Sequence, residues 1–473
     1  MKTYQDLLQV VDNPDKLKEF ILSAISDHKG SEAYHWASVG RDYGLQENTT
    51  INAYRKLIYT VTGRAIPDYF AANYKLPSNY YNRFNVQENQ YLLGNGVTFN
   101  DANLKKKLGT KKKAFDTQLQ KAGKAALTQG EAFGFWNLDH VEVFELLEFA
   151  PLYDEEDGTM KAGIRFWQIA ENKPLRATLY EIDGYTEYIR RKDDSGLQVY
   201  KEKRPYKLKF RFTEADGAEV YDGENYPGFP IVPLWGNQDH VCKIKAWQRK
   251  IDCYDLIESG FANDVDEASL IYWTITNAGG MDDVDLAEFI QRMKTIHATT
   301  VDGDAGVNVE SHTIDVPVTA RETYLRLLEK DLYKDAMALD TEAIATGNTV
   351  ATAIRASYEP LNNKTDDFEY CVIEFIQGIL EMVGVDDDPT FKRSTIVNQT
   401  EETTMVMAAA QYLDNETVLK HLPFINPDEI EDILDRVNEE EANRFVPEEG
   451  VENGGSGEKE DGQEAPTNGE TRK

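Results

Sequence analysis

The sequence predicts an α+β protein in which a strand-rich region is followed by long amphipathic helices. Residues 130–235 contain runs in which apolar and polar residues alternate, as they do in strands with one buried face. Leucines recur at helical spacing at Leu325, Leu328 and Leu332, which places them on one face of a long helix. A second apolar stripe of helical spacing occupies residues 368–382. Antiparallel sheet and extended helical segments are therefore expected in one chain.

Asp-Gly pairs divide the strand-rich region, and each is predicted to form the turn of a β-hairpin. They are Asp157-Gly158, Asp183-Gly184, Asp216-Gly217 and Asp222-Gly223. Upstream, residues 1–60 are predicted to form a helical arm, and Asn89–Phe99 a strand that ends in a Gly94-Asn-Gly96 turn. A dinucleotide-binding fingerprint is not indicated, because the third glycine of that motif is replaced by Phe99.

Composition limits the classes of function. The chain has 473 residues and a formal net charge of −32. Tight nucleic-acid binding over the whole surface is excluded, because it requires a basic footprint. An acidic body fits DNA that must pass without adhering, and it equally fits the solubility of a large assembly. The longest apolar runs fall short of the roughly 20 residues that cross a membrane, so no membrane association is expected.

Lysines are concentrated in one stretch, which is predicted to be either a solvated helix face or, as the alternative, a nucleic-acid contact. They are Lys105, Lys106, Lys107, Lys111, Lys112, Lys113, Lys121 and Lys124. The three cysteines, Cys242, Cys253 and Cys371, lack metal-type spacing and are expected to be buried reduced thiols of a protein made in a cytoplasm.

A small α/β module is predicted between two long helices. The first helix is expected over Ile244–Glu267, and the second over Thr319–Asp340 with Thr319 as its N-cap. The module between them is predicted to contain strands, a short helix and a loop, namely Leu270–Thr276, Asp282–Lys294, Thr295–Val301, Asp302–Gly306 and Val307–Ile314. A polar break then leads into a helix ending at Gly384, which Pro360 is expected to kink or break.

This order of elements resembles the portal proteins of tailed bacteriophages, of the long-tailed type that infects Gram-positive bacteria. The resemblance rests on Phe229-Pro-Ile-Val-Pro233, on Asp264–Tyr272, on Leu328-Glu-Lys-Asp-Leu-Tyr333, on the Gly347-Asn348 loop and on the helix with an internal proline. It implies a portal-like fold and a homo-oligomeric ring, usually a dodecamer, at one capsid vertex, with double-stranded DNA passing along the axis.

The resemblance also implies a division of the chain into portal segments. They are a wing (1–242), stem helix 1 (243–267), a clip (268–318), stem helix 2 (319–340), a tunnel loop (341–350), a kinked helix with a return to the wing (351–399), a helical crown (400–446) and an acidic tail (447–473). The low-complexity composition of the tail predicts disorder.

Partners and location follow from the same resemblance. The expected partners are the terminase large subunit, a head-completion adaptor protein, and the capsid and scaffolding proteins. The protein is expected in the virion, at the portal vertex, after synthesis in the cytoplasm of the bacterial host. No cofactor is expected.

The tunnel loop is predicted to contact DNA in transit. Gly347 would give the loop mobility, while Thr346, Asn348 and Thr349 would make weak contacts to phosphate and sugar that do not depend on base sequence.

A row of basic residues on the second stem helix, Arg326, Lys330 and Lys334 (the basic row), is predicted either to face the channel or to pair with carboxylates of the other stem helix such as Asp255 and Glu258.

The clip is predicted to dock the packaging motor and later the adaptor. Its short helix carries Asp282, Asp283, Asp285 and Glu288 (the clip carboxylates), which suit a basic partner surface or simply a solvated helix start.

Apolar stripes on the two stem helices are expected to be too wide for one subunit to bury, so that neighbouring subunits complete their burial. The residues are Leu325, Leu328, Leu332, Trp247, Ile251 and Tyr254.

Two other functions remain as alternatives: a different structural head protein, such as an adaptor or scaffold-binding component, and a carboxylate-metal nuclease. No Walker A sequence is present, so the chain is not expected to be the packaging motor. The Asp302–Gly306 loop lacks the glycine and glutamate that complete a calcium loop, and His297 and His312 lack further ligands. No catalytic or metal-binding residues are therefore assigned.

Overall fold

Helices and antiparallel sheets alternate along the chain in the computed structural model, which confirms the α+β prediction. The structure describes residues 2–59, 62–68, 71–101, 103–213, 219–268, 272–276, 308–312, 316–342, 351–394 and 399–422, with isolated positions within 284–291 and 425–438. Contacts divide the chain into two units, Met1–Thr395 and Ile396–Lys473.

The helices of the first unit are α1 (Tyr4–Leu8), α2 (Pro14–Lys29), α3 (Glu32–Gly44), α4 (Thr49–Ala53), α5 (Tyr80–Leu93), α6 (Leu104–Lys107), α7 (Phe115–Gln129), α8 (Ile244–Ala268), α9 (Val318–Asp335) and α10 (Ala351–Val383). The second unit contains α11 (Gln399–Ala409), a 3₁₀ turn (Ala410–Tyr412) and α12 (Asn415–His421). Short helices were predicted for this last region, and the structure confirms them.

The strands are β1 (Leu57–Tyr59), β2 (Ala65–Pro67), β3 (Val97–Thr98), β4 (Glu131–Asn137), β5 (His140–Glu145), β6 (Phe149–Tyr153), β7 (Met160–Trp167), β8 (Leu175–Glu181), β9 (Gly184–Arg190), β10 (Gln198–Arg204), β11 (Lys207–Thr213), β12 (Glu219–Glu224), β13 (Ile231–Trp235), β14 (Tyr272–Thr276), β15 (Asn308–His312) and β16 (Thr390–Phe391). They form antiparallel sheets of order β10-β9-β8-β7-β6 and β13-β4-β5, together with the pairs β1-β2, β11-β12, β14-β15 and β16-β3.

Two of the predicted hairpin turns are confirmed and one is wrong. Asp157-Gly158 lies between β6 and β7, and Asp183-Gly184 joins β8 to β9. Asp222-Gly223 instead lies inside β12, where both residues pair with β11. Asp216-Gly217 lies outside the described residues.

The predicted strand at Asn89–Phe99 is also wrong, because its first half belongs to helix α5 and only Val97–Thr98 is extended. Aromatic residues favour strands, but here they are buried at helical spacing. Tyr80, Tyr81 and Phe84 all face the core, so tertiary packing overrides local preference.

The main core lies between the three-stranded sheet and helices α7 and α10. Phe375 of α10 lies over Gly134 of β4, where a Cβ atom would be 2.4 Å from the phenyl ring. Only glycine allows the helix to approach the sheet this closely. A second core lies between α2 and the five-stranded sheet, with Ile21 and Leu179 fully buried.

Helix α10 is continuous through Pro360. Of the two effects expected of this proline, the break is not found, and the kink stays a prediction. The side chain of Pro360 is exposed, while Leu361 and Phe368, roughly a quarter turn away around the helix, are buried. Burial along the helix can offset the cost of a missing hydrogen bond. Among the described residues, no helix is long and apolar enough to cross a membrane.

Candidate functional site: the stem helices and their supports

The two predicted stem helices pack against each other in antiparallel orientation. Helix α8 matches the predicted span, and β14 and β15 pair within the segment that separates it from α9. Ion pairs join Lys250 to Asp335 and Asp264 to Arg321. The two ion-pairing residues on each helix are fourteen residues apart, roughly 21 Å, so the pairs join the helices at two well-separated levels.

Helix α9 is shorter than predicted at its C-terminal end. It ends at Asp335, not at Asp340, because Met337 adopts a positive φ of 49° and the Ala338 N–H donates to the Tyr333 carbonyl. Gln87 of α5 then holds Leu339, accepting from its N–H and donating to its carbonyl at 2.9 Å each. At the other end the cap position is occupied by Pro317, so the predicted Thr319 cap is wrong.

Most of the apolar stem residues are buried inside the subunit. Trp247, Ile251 and Leu332 form one cluster with aromatic residues of α5, in which Phe84 lies 5.7 Å from Trp247 between ring centroids. Leu328 is also buried, whereas Leu325 and Tyr254 are partly exposed. The expectation that neighbouring subunits are needed to bury these stripes is therefore wrong for four of the six residues, and for Trp247, Ile251 and Leu332 it is α5 that supplies the missing surface.

Polar residues on α8 hold the segment Tyr74–Ser78 along the stem. The backbone N–H groups of Tyr74, Leu76 and Ser78 donate to Asn263 Oδ1 at 2.6 Å, Ser259 Oγ at 3.0 Å and Asp255 Oδ1 at 2.9 Å. Successive acceptors are four residues apart on the helix, about 6 Å, and successive donors are two residues apart on the chain, which span about 6.6 Å when extended. This match lets one segment satisfy three buried polar side chains.

Asp255 accepts hydrogen bonds that hold this segment, and it does not pair with the basic row. It is fully buried and also accepts from Asn48 Nδ2. Burial raises the pKa of Asp255, and the hydrogen bonds from Asn48 and Ser78 oppose that shift. The sequence carried a signal for this arrangement, since Asp255, Ser259 and Asn263 form a polar row, spaced four residues apart, on the buried side of an amphipathic helix.

A buried charge cluster joins the start of the stem to α5 and α10. Glu88 is fully buried, with Lys243 Nζ 2.6 Å from its Oε1 and Lys364 Nζ 2.7 Å from its Oε2. Burial lowers the pKa of Lys364 to about 8, against the attraction of Glu88, and Lys243 adds to the lowering. One carboxylate thus serves two lysines from different elements.

The basic row lies on the exposed side of α9. All three residues are exposed, and Arg326 pairs with Glu322 one turn earlier at 2.7 Å. Within the described part of the chain, Lys330 and Lys334 form no ion pair, and the predicted pairing with Asp255 and Glu258 is not found. The row projects away from Leu328 and Leu332, which form the buried side of the same helix.

The other predicted site residues are mostly beyond the described ranges. Thr346, Gly347, Asn348 and Thr349 of the tunnel loop lie outside the described residues, as do Asp282, Asp283 and Asp285 of the clip. Glu288 is described, and it is helical and exposed.

The lysine-rich stretch 105–124 is largely exposed, and both of its interpretations, a solvated face and a nucleic-acid contact, stay predictions. Lys105 pairs with Asp116 at 2.6 Å, Lys107 with Asp101 at 3.3 Å, and Lys113 Nζ lies 2.8 Å from His140 Nε2.

No group of three or more potential metal ligands comes together among the residues that the structure describes.

Comparison with known proteins identifies the family. The family model described as "Phage portal protein, SPP1 Gp6-like" matches residues 46–443. The chain belongs to this phage portal protein family. The resemblance inferred from the sequence and the function as a phage portal protein are both confirmed.

Individual portal proteins also match the chain. The chain is 24% identical over 453 residues to the portal protein of Bacillus phage SPP1, covering 87% of this chain and 84% of that protein. It is 26% identical over 206 residues to the portal protein of Clostridium phage phiCD119, covering 42% of this chain and 46% of that protein. The match thus spans about half the length of the phiCD119 protein.

Solved structures of phage-like particles also match the chain. A chain from the neck of a native gene transfer agent (GTA) particle, computed with C12 symmetry, has a TM-score of 0.45 at 12% identity, covering 74% of this chain and 91% of that one. A chain from the virion of the native GTA particle has a TM-score of 0.43 at 13% identity, covering 74% and 90% respectively.

Proposed function

We propose that this portal protein forms a homo-oligomeric ring at one capsid vertex and that double-stranded DNA passes along the ring axis during packaging and ejection. The observation that carries the proposal is the portal family match over residues 46–443. The ring is usually dodecameric in proteins of this kind, and twelve copies are therefore the expected number. The protein would be made in the host cytoplasm and retained in the virion.

Apolar groups left exposed on the stem support contacts between copies. Tyr324 and Leu327 of α9 are 46% and 52% exposed, although the helix buries other leucines well. Beside them, Leu256, Ile257 and Gly260 of α8 line a groove between the two helices. Exposed apolar groups of this size next to a groove favour a protein partner, and a neighbouring copy of the chain is the partner we propose.

The basic row is an argument for the proposal that DNA passes along the inner face of the ring. Lys330 and Lys334 are one helical turn apart, about 6 Å, so a ring of copies would carry successive circles of positive charge. Unpaired lysines contact phosphates without reading bases. The tunnel loop, with Gly347 and its short polar neighbours, would add weak contacts that do not hold the DNA in place.

The same family relationship supports our proposal for the proteins that dock on the ring. We assign the clip carboxylates to a surface that meets the terminase large subunit during packaging and a head-completion adaptor afterwards. The wing would meet capsid and scaffolding proteins. Charge complementarity between acidic clip and basic partner would make the docking sensitive to salt.

We also propose that the protein has no catalytic activity of its own, since the portal family is a structural one. Incubating the purified protein with DNA and either Mg²⁺ or Mn²⁺ should leave the DNA intact. Cleavage that disappears when a carboxylate pair is replaced would instead support a metal-dependent nuclease.

A phage carrying a stop codon in the gene for this chain tests the proposed function directly. Heads made without the protein should contain no packaged genome, and supplying the full chain from a plasmid should restore DNA-filled heads. DNA-filled heads without the protein would refute the proposal, and restoration by a chain that is absent from the purified virions would contradict its place at the vertex.

A further inference from the structure

A cavity of about 240 Å³ opens on the wing beside the start of the first stem helix. Its walls come from α3, from the end of α7, from the adjoining ends of β4 and β13, and from the loop that leads into α8. At roughly 30 Å³ per water molecule, it can hold several waters or the end of a long side chain. The portal function described above does not use it.

A buried carboxyl group without a cationic partner lines this cavity. Glu131 is 5% exposed, and its Oε1 accepts a hydrogen bond from the Tyr153 hydroxyl at 2.9 Å. Its Oε2 makes no hydrogen bond or ion pair with any residue that the structure describes. Buried carboxylates are normally paired, because an isolated buried charge is costly. Burial raises the pKa of Glu131 to about 8, and the hydrogen bond from Tyr153 opposes the rise.

A second unused acceptor lines the same cavity. Gln129 is 4% exposed, and its Nε2 donates to Glu145 at 2.6 Å, while its Oε1 has no hydrogen-bond partner among the described residues. Two acceptor atoms on buried side chains at this cavity therefore lack donors within the described part of the chain. A ligand that supplies several N–H donors and a positive charge would satisfy both.

Tryptophan rings form part of the cavity walls. Trp36 lies on one side, with the Lys245 ammonium group 6.0 Å from its ring centroid, and Trp235 lies on the other, stacked on His240 at 3.8 Å. Register places Trp235 directly opposite Glu131 on neighbouring strands, so both side chains lie on one face of the sheet. Tryptophan faces attract cations, most strongly where water is excluded.

The lysine at the rim does not occupy the site. Lys245 is exposed, and its ammonium group lies 2.7 Å from Glu32, which also accepts from the Trp36 indole N–H at 3.3 Å. Its charge is thus paired with an exposed carboxylate at the cavity rim, and Lys245 forms no ion pair with Glu131.

We propose that this cavity binds an organic cation, a guanidinium or alkylammonium group, with Glu131 and Gln129 as acceptors and Trp36 and Trp235 as walls. The cation is either a free small molecule or an arginine or lysine side chain of a second copy of the chain. Because the ligand favours the ionised carboxyl group, binding should release a proton below the pKa of Glu131.

The test uses the full chain with butylguanidinium and the neutral, isosteric butylurea as probes. Calorimetric titration at pH 8.5 should show butylguanidinium binding at least tenfold more tightly than butylurea, the discrimination expected of a charge-assisted hydrogen bond. Glu131→Gln keeps the shape and the hydrogen bond with Tyr153, and it should abolish the difference between the probes. Glu171→Gln, the same change at an exposed position, should leave the difference intact. Equal affinity for both probes in the unaltered chain, or a difference that persists in Glu131→Gln, would overturn the proposal.

The pH dependence gives a second readout. Affinity for butylguanidinium should rise about tenfold per unit from pH 6 to near 8 and then level off, and this rise should be missing in Glu131→Gln. Other titratable groups are close to this site: Tyr153 is bonded to Glu131, Glu145 is bonded to Gln129, and the cavity is also lined by His240, Cys242, Lys245 and Glu32. A rise that is identical in the variant would assign the titration to one of these groups and would refute the role of Glu131.

Comparing unassembled subunits with assembled rings distinguishes the two sources of the cation. Binding of butylguanidinium to both forms indicates a free small molecule. Binding to subunits alone, together with slower ring assembly at high probe concentration, indicates a side chain of the neighbouring copy. Binding to neither form would contradict the proposal.

Discussion

Replacing Glu88 with glutamine removes the one negative charge that serves two buried lysines. The change preserves side-chain shape, so its effect comes from electrostatics and not from a cavity. Lys243 precedes the first stem helix and Lys364 belongs to α10, which places the charge where three elements meet. We expect local destabilisation of α5 and of the base of the stem.

The magnitude can be estimated one lysine at a time. Without the Glu88 carboxylate, Lys364 can become neutral by losing its proton. Because its pKa is already about 8, deprotonation at pH 7 costs at most about 1.4 kcal/mol. Lys243 keeps its charge and loses a charge-assisted hydrogen bond, about 1.5–3 kcal/mol. The total of about 3–4 kcal/mol lies in the range measured for breaking a buried pair.

Lys364 also makes the free energy of unfolding depend on pH. Its pKa of about 8 in the folded chain is below the ordinary lysine value of 10.5, so between these values the unfolded chain binds more protons. The free energy of unfolding should therefore rise with pH from about 8 to about 10. Lys364→Met should remove this rise, and it should be close to neutral in stability at pH 7 because the Glu88–Lys243 pair remains.

Hydrogen exchange followed by mass spectrometry measures the loss of stability in α5 that Glu88→Gln should cause. A loss of about 3 kcal/mol should make the slow amides of α5 exchange more than 100-fold faster in Glu88→Gln. Glu322→Gln removes the same charge from an exposed pair with Arg326 and should change stability by less than about 0.5 kcal/mol. Exchange in α5 within threefold of the unaltered protein would show that the buried cluster does not stabilise this junction.

Further predictions concern the channel and the clip. Changing Lys330 and Lys334 to glutamine should lower DNA packaging in a plasmid-complementation assay while rings remain intact by electron microscopy, and loosened rings would show that these lysines join subunits. Gly347→Val should impair packaging with normal ring assembly, because a β-branched residue restricts the backbone, and normal packaging would refute the tunnel-loop assignment. Reversing the clip carboxylates should weaken motor docking about tenfold in a binding assay at low salt, and unchanged docking would contradict their role.

Elements with a single strong periodicity were predictable from the sequence. Helix α8 begins at the predicted residue and ends one residue later than predicted, because Trp247, Ile251 and Tyr254 give an unambiguous helical spacing. Helix α5 was missed, since its aromatic residues favour strands and only the facing stem helices show that they belong to a helical core.

The supports of the stem depend on contacts between distant residues. Glu88 meets Lys243 and Lys364 across more than a hundred residues of sequence, and no local pattern links the three. The polar row on α8 was visible, but its partner segment at 74–78 carries no motif of its own. Glu131 is a charged residue at the start of an apolar run, which is a weak indication in the sequence of a special role. That its carboxyl group is buried beside a cavity is apparent only from the structure.

Single-particle electron microscopy of the purified full chain tests the central claim most directly. We predict closed rings with an axial pore, in which neighbouring copies cover Tyr324 and Leu327 while Lys330 and Lys334 face the pore. A stable monomer at all protein and salt concentrations, or a closed particle without an axial opening, would contradict the account.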